Sequence, residues 1–106
     1  MTDRTLRGKT AVVGIGETRY YKRGGSPDAE FKLTVEAIMT AANDAGVDVR
    51  DIDGFASYSG DRNDPVRIAA ALGMKDVKHA SMVWGGGGGG GSGAMAHAAA
   101  SVATGV

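Results

Sequence analysis

Ser92 follows an unbroken run of seven glycines, Gly85 to Gly91. Gly90-Gly91-Ser92-Gly93-Ala94 approximates the G-x-S-x-G turn that presents a nucleophilic serine at a strand-to-helix corner, with alanine replacing the second glycine. A serine hydroxyl attacks only when a base takes its proton. His97 is the nearby candidate, yet it stands five positions along the same helix and so on a different face. The competing reading of Ser92 is an N-cap, whose hydroxyl satisfies a first-turn amide. The glycines read three further ways. A linker would be coil, but linkers mix serine and proline and separate domains, whereas this run joins a strand to a helix. A strand-to-helix corner presents backbone N–H groups at the positive end of a helix, which suits a phosphate, another anion or a developing oxyanion. A structural glycine run lets another backbone pass where side chains would not fit, and this is compatible with an active site at the same place.

Other signatures are incomplete. Gly85, Gly87 and Gly90 satisfy G-x-G-x-x-G, as any seven glycines would. The run follows the third strand and leaves no room for the acidic ribose-binding residue about 20 positions on. No Gly-Lys-Ser/Thr follows it, which excludes a P-loop. Gly14-Ile15-Gly16-Glu17-Thr18 hints at a dinucleotide turn, but Arg19 takes the place of the third glycine and a long loop precedes the helix. Tight packing at a strand end is the simpler reading. His79 and His97 lack a metal-ligand spacing with a carboxylate; His79 reads as a half-exposed strand residue and His97 as a packing residue of an alanine helix. Asp48, Asp51 and Asp53 miss the calcium-loop spacing and read as turn caps. Tyr20, Tyr21, Lys22 and Arg23 form a basic aromatic patch on a solvated loop.

The composition narrows the field. The chain has 106 residues, 12 Lys and Arg against 12 Asp and Glu, 18 glycines and no cysteine. Zero net charge gives no electrostatic footprint for nucleic acid or an anionic membrane. The absence of cysteine excludes a disulfide scaffold, Cys-ligated zinc and a thiol nucleophile. No run of about 20 large apolar residues suggests a transmembrane helix. Met1-Thr2-Asp3-Arg4 has no apolar stretch behind it, so a cytoplasmic protein is expected. Alanine and glycine crowd the last quarter, and such a segment packs backbones closely and needs neighbours to cover it. The chain reads as the N-terminal part of something longer.

The elements that would position these residues follow from periodicity and caps. Lys9 to Gly16 is a β-branched apolar run closed by glycines and predicts a buried first strand. Ser26-Pro27-Asp28 predicts a helix start, with Phe31, Val35, Ile38, Met39, Ala42 and Ala45 on one face and Gly46 as the stop. Gly54 to Ser59 predicts a second strand, parallel to the first through a right-handed crossover. Asp64-Pro65 starts a helix of about two turns that Gly73 ends. Lys78 to Trp84 predicts a third strand, and Ser92 is expected to cap a helix from Gly93 to Thr104, ended by Gly105. The fold class is α/β with a mainly parallel sheet.

Four pieces in this order resemble a known family. They are Lys9 to Thr18; Val35-Glu36-Ala37-Ile38 with Asp44-Ala45-Gly46; Asp51-Ile52-Asp53-Gly54; and Ser92-Gly93 leading into Ala98 to Gly105. Together they look like the start of a thiolase, and most resemble the sterol carrier protein or lipid-transfer thiolases. The resemblance implies that residues 1–106 supply most of one βαβαβ half of a layered α/β/α/β/α fold, usually dimeric, the second half lying outside this chain. Thiolases carry a nucleophilic cysteine in a Cys-x-Ser-Gly or Cys-x-Thr-Gly context at the start of a buried helix, where the helix lowers the thiol's pKa. Ser92-Gly93 aligned on that motif puts the nucleophile position at Gly90, which forms no acyl-enzyme. The resemblance then implies the subgroup without that cysteine: aldolases that cleave a β-hydroxyacyl-CoA, notably a steroid side-chain thioester, into a ketone and a shorter acyl-CoA. No cofactor is implied beyond the CoA thioester as substrate. Gly89, Gly90, Gly91 and Ser92 would bind it, with amides near the thioester oxygen, and the space vacated by the cysteine would admit a bulky branched acyl group. Tyr20 to Arg23 could meet a CoA phosphate. The acid and base, tyrosines by resemblance, would lie later in the protein. A small OB-fold, zinc-ribbon partner, often attached to a hydratase, is implied as well. Two alternatives stay open: an acyltransferase using Ser92, and a non-catalytic thiolase-like subunit.

Overall fold

A computed structural model of the chain describes residues 6–22, 24–58, 63–84 and 89–105. Arg23, Ser59, Gly85 to Gly88 and the N-terminal Met1 to Arg4 named above lie outside the described residues. The elements in chain order are α1 (Glu30–Ala45), a single 3-10 turn (Val49–Asp51), β1 (Gly54–Tyr58), α2 (Pro65–Leu72), β2 (His79–Val83) and α3 (Gly90–Thr104). The chain forms two compact units, one of residues 1–12, 54–62 and 77–106, the other of residues 13–53 and 63–76.

The second of these units holds α1 and α2. Asp64 caps α2 by accepting the Val66 N–H at 2.9 Å, and Pro65 takes the first turn, where its missing N–H costs nothing. Gly73 ends the helix at φ 69°. The apolar positions Ile68 and Leu72, one helical turn apart, are buried, and each such side chain contributes about 1.5–3 kcal/mol. Arg67 stacks its guanidinium 4.6 Å from the Phe31 ring centre, and the Asn63 amide donates to Thr34 Oγ1 at 2.8 Å, tying α2 to α1. α1 begins later than Ser26-Pro27-Asp28 suggested. The Ser26 hydroxyl turns back on Asp28, accepting its N–H at 3.1 Å and donating to its carbonyl at 2.9 Å, so the helix starts at Glu30 after Ala29. This local bonding competes with the capping role. Met39, expected on the apolar face, is exposed, while Ala42 is buried and Gly46 ends the helix as expected.

The run Lys9 to Gly16 is not a strand. A strand exists through ladder hydrogen bonds to a neighbour, and the Ile15 N–H instead donates to the Asp44 carboxylate at 3.0 Å. The two-residue alternation survives without the ladder: Gly14 and Gly16 are half-buried, and Val13 and Ile15 are exposed. Both glycines lie on α1. A Cβ on Gly14 would strike the Ala41 carbonyl oxygen and stand 2.8 Å from the Ala45 Cβ. A Cβ on Gly16 would strike the Ala37 carbonyl oxygen and stand 2.5 Å from the Ala41 nitrogen.

The first unit is built on β1 and β2, which pair in parallel with Gly54 opposite His79 and Tyr58 opposite Val83. One face therefore carries Gly54, Ala56 and Tyr58 beside His79, Ser81 and Val83. α3 packs on that face: a Cβ on Gly90 would meet Tyr58 and one on Gly93 would meet Val83. Ala94, one turn after Gly90, is buried. Ser92 is not the cap. α3 starts two residues earlier, at Gly90, with Gly89 as the N-cap and no side-chain cap bond, and it ends at Gly105 with φ 78°. Elsewhere on α3, Met95 and Val102 are exposed, and with Thr10 to Val12 they line an apolar concavity of about 430 Å³.

Two outcomes follow from these contacts. Gly14→Ala and Gly16→Ala each force a methyl into helix backbone and are expected to lower stability by about 1–3 kcal/mol. Gly91→Ala, where a Cβ meets nothing within 4 Å, should be neutral or stabilising in the same thermal melts. Asp48 caps the 3-10 turn and pairs with Arg50 at 2.7 Å; the Arg50 side-chain and backbone donors hold its carboxyl at about 2. Its folded pKa lies below the unfolded value of about 4. The pair therefore favours the fold above that value, and the contribution fades as pH falls towards 2. A carboxyl NMR titration should give a midpoint near 2 for Asp48, and Arg50→Ala should return it to the ordinary range.

Candidate functional site

Parallel strands end on a common edge, and in open α/β sheets ligands bind beyond the carboxyl ends of the strands. In the first unit that edge carries Tyr58 at the end of β1 and Val83 and Trp84 at the end of β2, and α3 begins at Gly90 against Tyr58. The first three N–H groups of a helix have no partner within it. Here they belong to Gly90, Gly91 and Ser92, and the N-cap Gly89 has no side chain to satisfy them. They sit at the positive end of the helix, where a carbonyl oxygen gathering negative charge is stabilised.

Position 90 is enclosed. Gly90 is buried, and a Cβ placed on it would stand 3.0, 3.2 and 3.3 Å from Cβ, Cδ2 and Cγ of Tyr58. Gly89 and Gly91 on either side face open space. The volume expected to be vacated at position 90 is therefore lined by the Tyr58 side chain. Gly93 makes the second close approach, 3.2 Å from Val83 Cγ1 on the same terms.

The other candidates are dispersed. Ser92 and His97 are both exposed and share no hydrogen bond among the described residues, so no base is brought to the serine. His97 is exposed, which corrects its reading as a packing residue of the alanine helix. His79 is half-buried, with Nε2 covered and without a partner, as is Ser81 Oγ two residues on along β2. Gly14 and Gly16 lie against the C-terminal half of α1, far along the helix from its N-terminus, so the dinucleotide turn has no helix end to work with. Asp48 caps a turn as expected, and Asp51 pairs with Lys75 at 2.9 Å. No group of three metal-ligating side chains occurs among the described residues. Tyr20, Tyr21 and Lys22 line an open concavity of about 450 Å³ with Arg19 in the α1–α2 unit. No helix of the described residues is long and apolar enough to cross a membrane.

Tyr58 was visible in the sequence only as a residue of the strand predicted over Gly54 to Ser59. The alternation of Gly54-Phe55-Ala56-Ser57-Tyr58 fixes which face it shares with Gly54 and Ala56. Its apposition to position 90 depends on the approach of a helix some 30 residues later, which no local pattern encodes.

No protein-family model matches the chain. It is 38% identical over 102 residues to the 17-hydroxy-3-oxo-4-pregnene-20-carboxyl-CoA lyase of Mycobacterium tuberculosis. It is 37% identical over 102 residues to the steroid side-chain-cleaving aldolase of Thermomonospora curvata. Each match covers 95% of this chain and 25% of the relative, so the chain spans about a quarter of the length of the curated relatives it matches. Among solved structures, a chain of the Ltp2-ChsH2(DUF35) aldolase superposes with a TM-score of 0.86 at 36% identity, over 95% of this chain and 26% of that one.

The placement of Ser92 inside the first turn has a measurable consequence. Loss of a true N-cap costs about 1 kcal/mol. Ser92→Ala should change the unfolding free energy by less than about 0.5 kcal/mol, as at an ordinary exposed site. A loss of the full cap value in chemical denaturation would restore Ser92 to the capping role.

Proposed function

We propose that the protein is a thiolase-like aldolase that cleaves a β-hydroxyacyl-CoA, of the steroid side-chain class, into a ketone and a shorter acyl-CoA. One observation carries the proposal: Gly90, aligned with the thiolase nucleophile, is the buried first residue of α3, closed over by Tyr58, in a chain without cysteine. The names of relatives at 37–38% identity, a lyase and an aldolase acting on steroid thioesters or side chains, support it.

The chemistry fits a site without a nucleophile. In a retro-aldol a base takes the β-hydroxyl proton, the new carbonyl forms as the Cα–Cβ bond breaks, and the electron pair moves into the thioester as an enolate. Protonation at Cα then releases the shorter acyl-CoA. No covalent intermediate is needed. What is needed is a stabiliser for the enolate oxygen, and removing one such donor typically costs 10²–10³ in rate. The N–H groups of Gly90, Gly91 and Ser92 are this chain's contribution, with Gly89 giving an unencumbered approach. The acid and base belong, on this reading, to the part of the protein beyond this chain. The layered thiolase architecture, the homodimer, the cytoplasmic location and a small OB-fold partner are parts of the same proposal. The partner is supported by the two-component name of the solved aldolase.

The test is incubation of the full protein, with and without an OB-fold partner, with a β-hydroxyacyl-CoA bearing a steroid side chain. Ketone and shorter acyl-CoA should appear in equal amounts with no acyl adduct in the intact-protein mass. An adduct on Ser92 would replace the aldolase with an acyltransferase. Absence of turnover under both conditions would leave a non-catalytic subunit.

A further inference from the structure

Of Gly89, Gly90 and Gly91, position 90 is where added volume meets protein. Cβ atoms at Gly89 and Gly91 would enter open space, while one at Gly90 would come within 3.0–3.3 Å of three Tyr58 atoms. Two of those three are ring atoms, so the aromatic side chain itself fills the direction in which a side chain at 90 would point. Tyr58 is not buried by this contact. It stays 46% exposed at the carboxyl edge of the strand pair, beside the first turn of α3. If the start of α3 binds the thioester oxygen, as the aldolase proposal has it, a half-exposed aromatic beside it offers an apolar surface to the attached acyl group.

We infer that Tyr58 is a specificity-determining residue of the α3 site: its ring closes the volume into which a side chain at position 90 would project and forms an aromatic wall for a bulky apolar acyl group. The steric half of this inference concerns position 90 alone, and the substrate half rests on the aldolase proposal. The wall acts by shape. It crowds a side chain at position 90, and it rewards acyl groups large enough to cover the ring. Fitting or losing one methylene in an apolar pocket changes selectivity by about 10–200-fold, so removing a whole ring face should be read easily in a ratio of kcat/KM values.

Two measurements test the two halves separately. For the steric half, Gly90→Cys is made in the full protein with Tyr58 present and in a Tyr58→Ala background, and alkylation by iodoacetamide is timed by mass. The thiol should react at least tenfold faster once the ring is gone, and equal rates would overturn the closure. This readout needs no turnover, so it holds even if the aldolase proposal fails. For the substrate half, Tyr58→Phe and Tyr58→Ala are compared on a steroid side-chain β-hydroxyacyl-CoA and on a short linear one. Tyr58→Phe should keep the wild-type preference, and Tyr58→Ala should lose at least tenfold of it through KM for the bulky substrate. If Tyr58→Phe falls as far as Tyr58→Ala, the hydroxyl and not the ring is at work and the wall is overturned. If wild-type protein turns over neither substrate, the aldolase proposal fails while the alkylation result still stands.

Discussion

The approach of the first turn of α3 to the end of β1 sets the spacing on which the strand–helix unit depends. A helix can come this near a strand only where a side chain is missing, and Gly90 and Gly93, three residues apart on one helical face, are the two points where it does. The first meets Tyr58 and the second Val83, residues paired across the parallel strands. One register therefore fixes both contacts. A slip of one residue would turn Tyr58 and Val83 to the other face and leave the glycines facing nothing. The same closeness brings the first turn of α3 to the carboxyl edge of the strands.

The α1–α2 unit uses the same device with different partners. Gly14 and Gly16 press an extended segment on the small residues Ala37, Ala41 and Ala45 of α1, and the Ile15 amide between them is held by Asp44. Backbone proximity substitutes here for the volume of large side chains. The consequence is a sparse interior: among the described residues the buried apolar side chains are Ala42, Ile68, Leu72 and Ala94. Val12, Val13, Ile15, Met95 and Val102 are left exposed. A chain that spans a quarter of its relatives' length is consistent with such surfaces.

What the sequence made legible was local. α2 could be read end to end because its cap, its first-turn proline and its terminal glycine are adjacent to it in the chain and act on it directly. The strands read as Gly54 to Ser59 and Lys78 to Trp84 were legible from alternation, but the crossover reading paired the former with Lys9 to Gly16, whereas Gly54–Tyr58 pairs in parallel with His79–Val83. Errors arose where the deciding partner was remote or a polar side chain had two uses. Ser26 spends its hydroxyl on Asp28 instead of on a helix end. Lys9 to Gly16 has the composition of a strand, but composition reports burial preference, while a strand is defined by a neighbour's hydrogen bonds. Ser92 is the better cap by propensity, yet the helix begins at Gly90, where it meets the Tyr58 ring.

The link from this geometry to chemistry runs through what the site lacks as much as what it holds. A covalent acyl mechanism needs a nucleophile at the helix start, where the dipole would lower its pKa, and room for that atom to reach the carbonyl. The first requirement fails at Gly90, which has no side chain, and the space a side chain would use there is narrowed by Tyr58. The backbone amides at the start of α3 do not depend on a side chain, so glycine keeps them. A scaffold that retains its oxyanion donors while losing its nucleophile remains suited to reactions passing through an enolate without an acyl-enzyme, and cleavage of a β-hydroxy thioester is such a reaction. Under the aldolase proposal, the glycine at the start of α3 would favour carbon–carbon bond cleavage over acyl transfer, and the Tyr58 ring beside it would crowd the space a nucleophilic side chain needs.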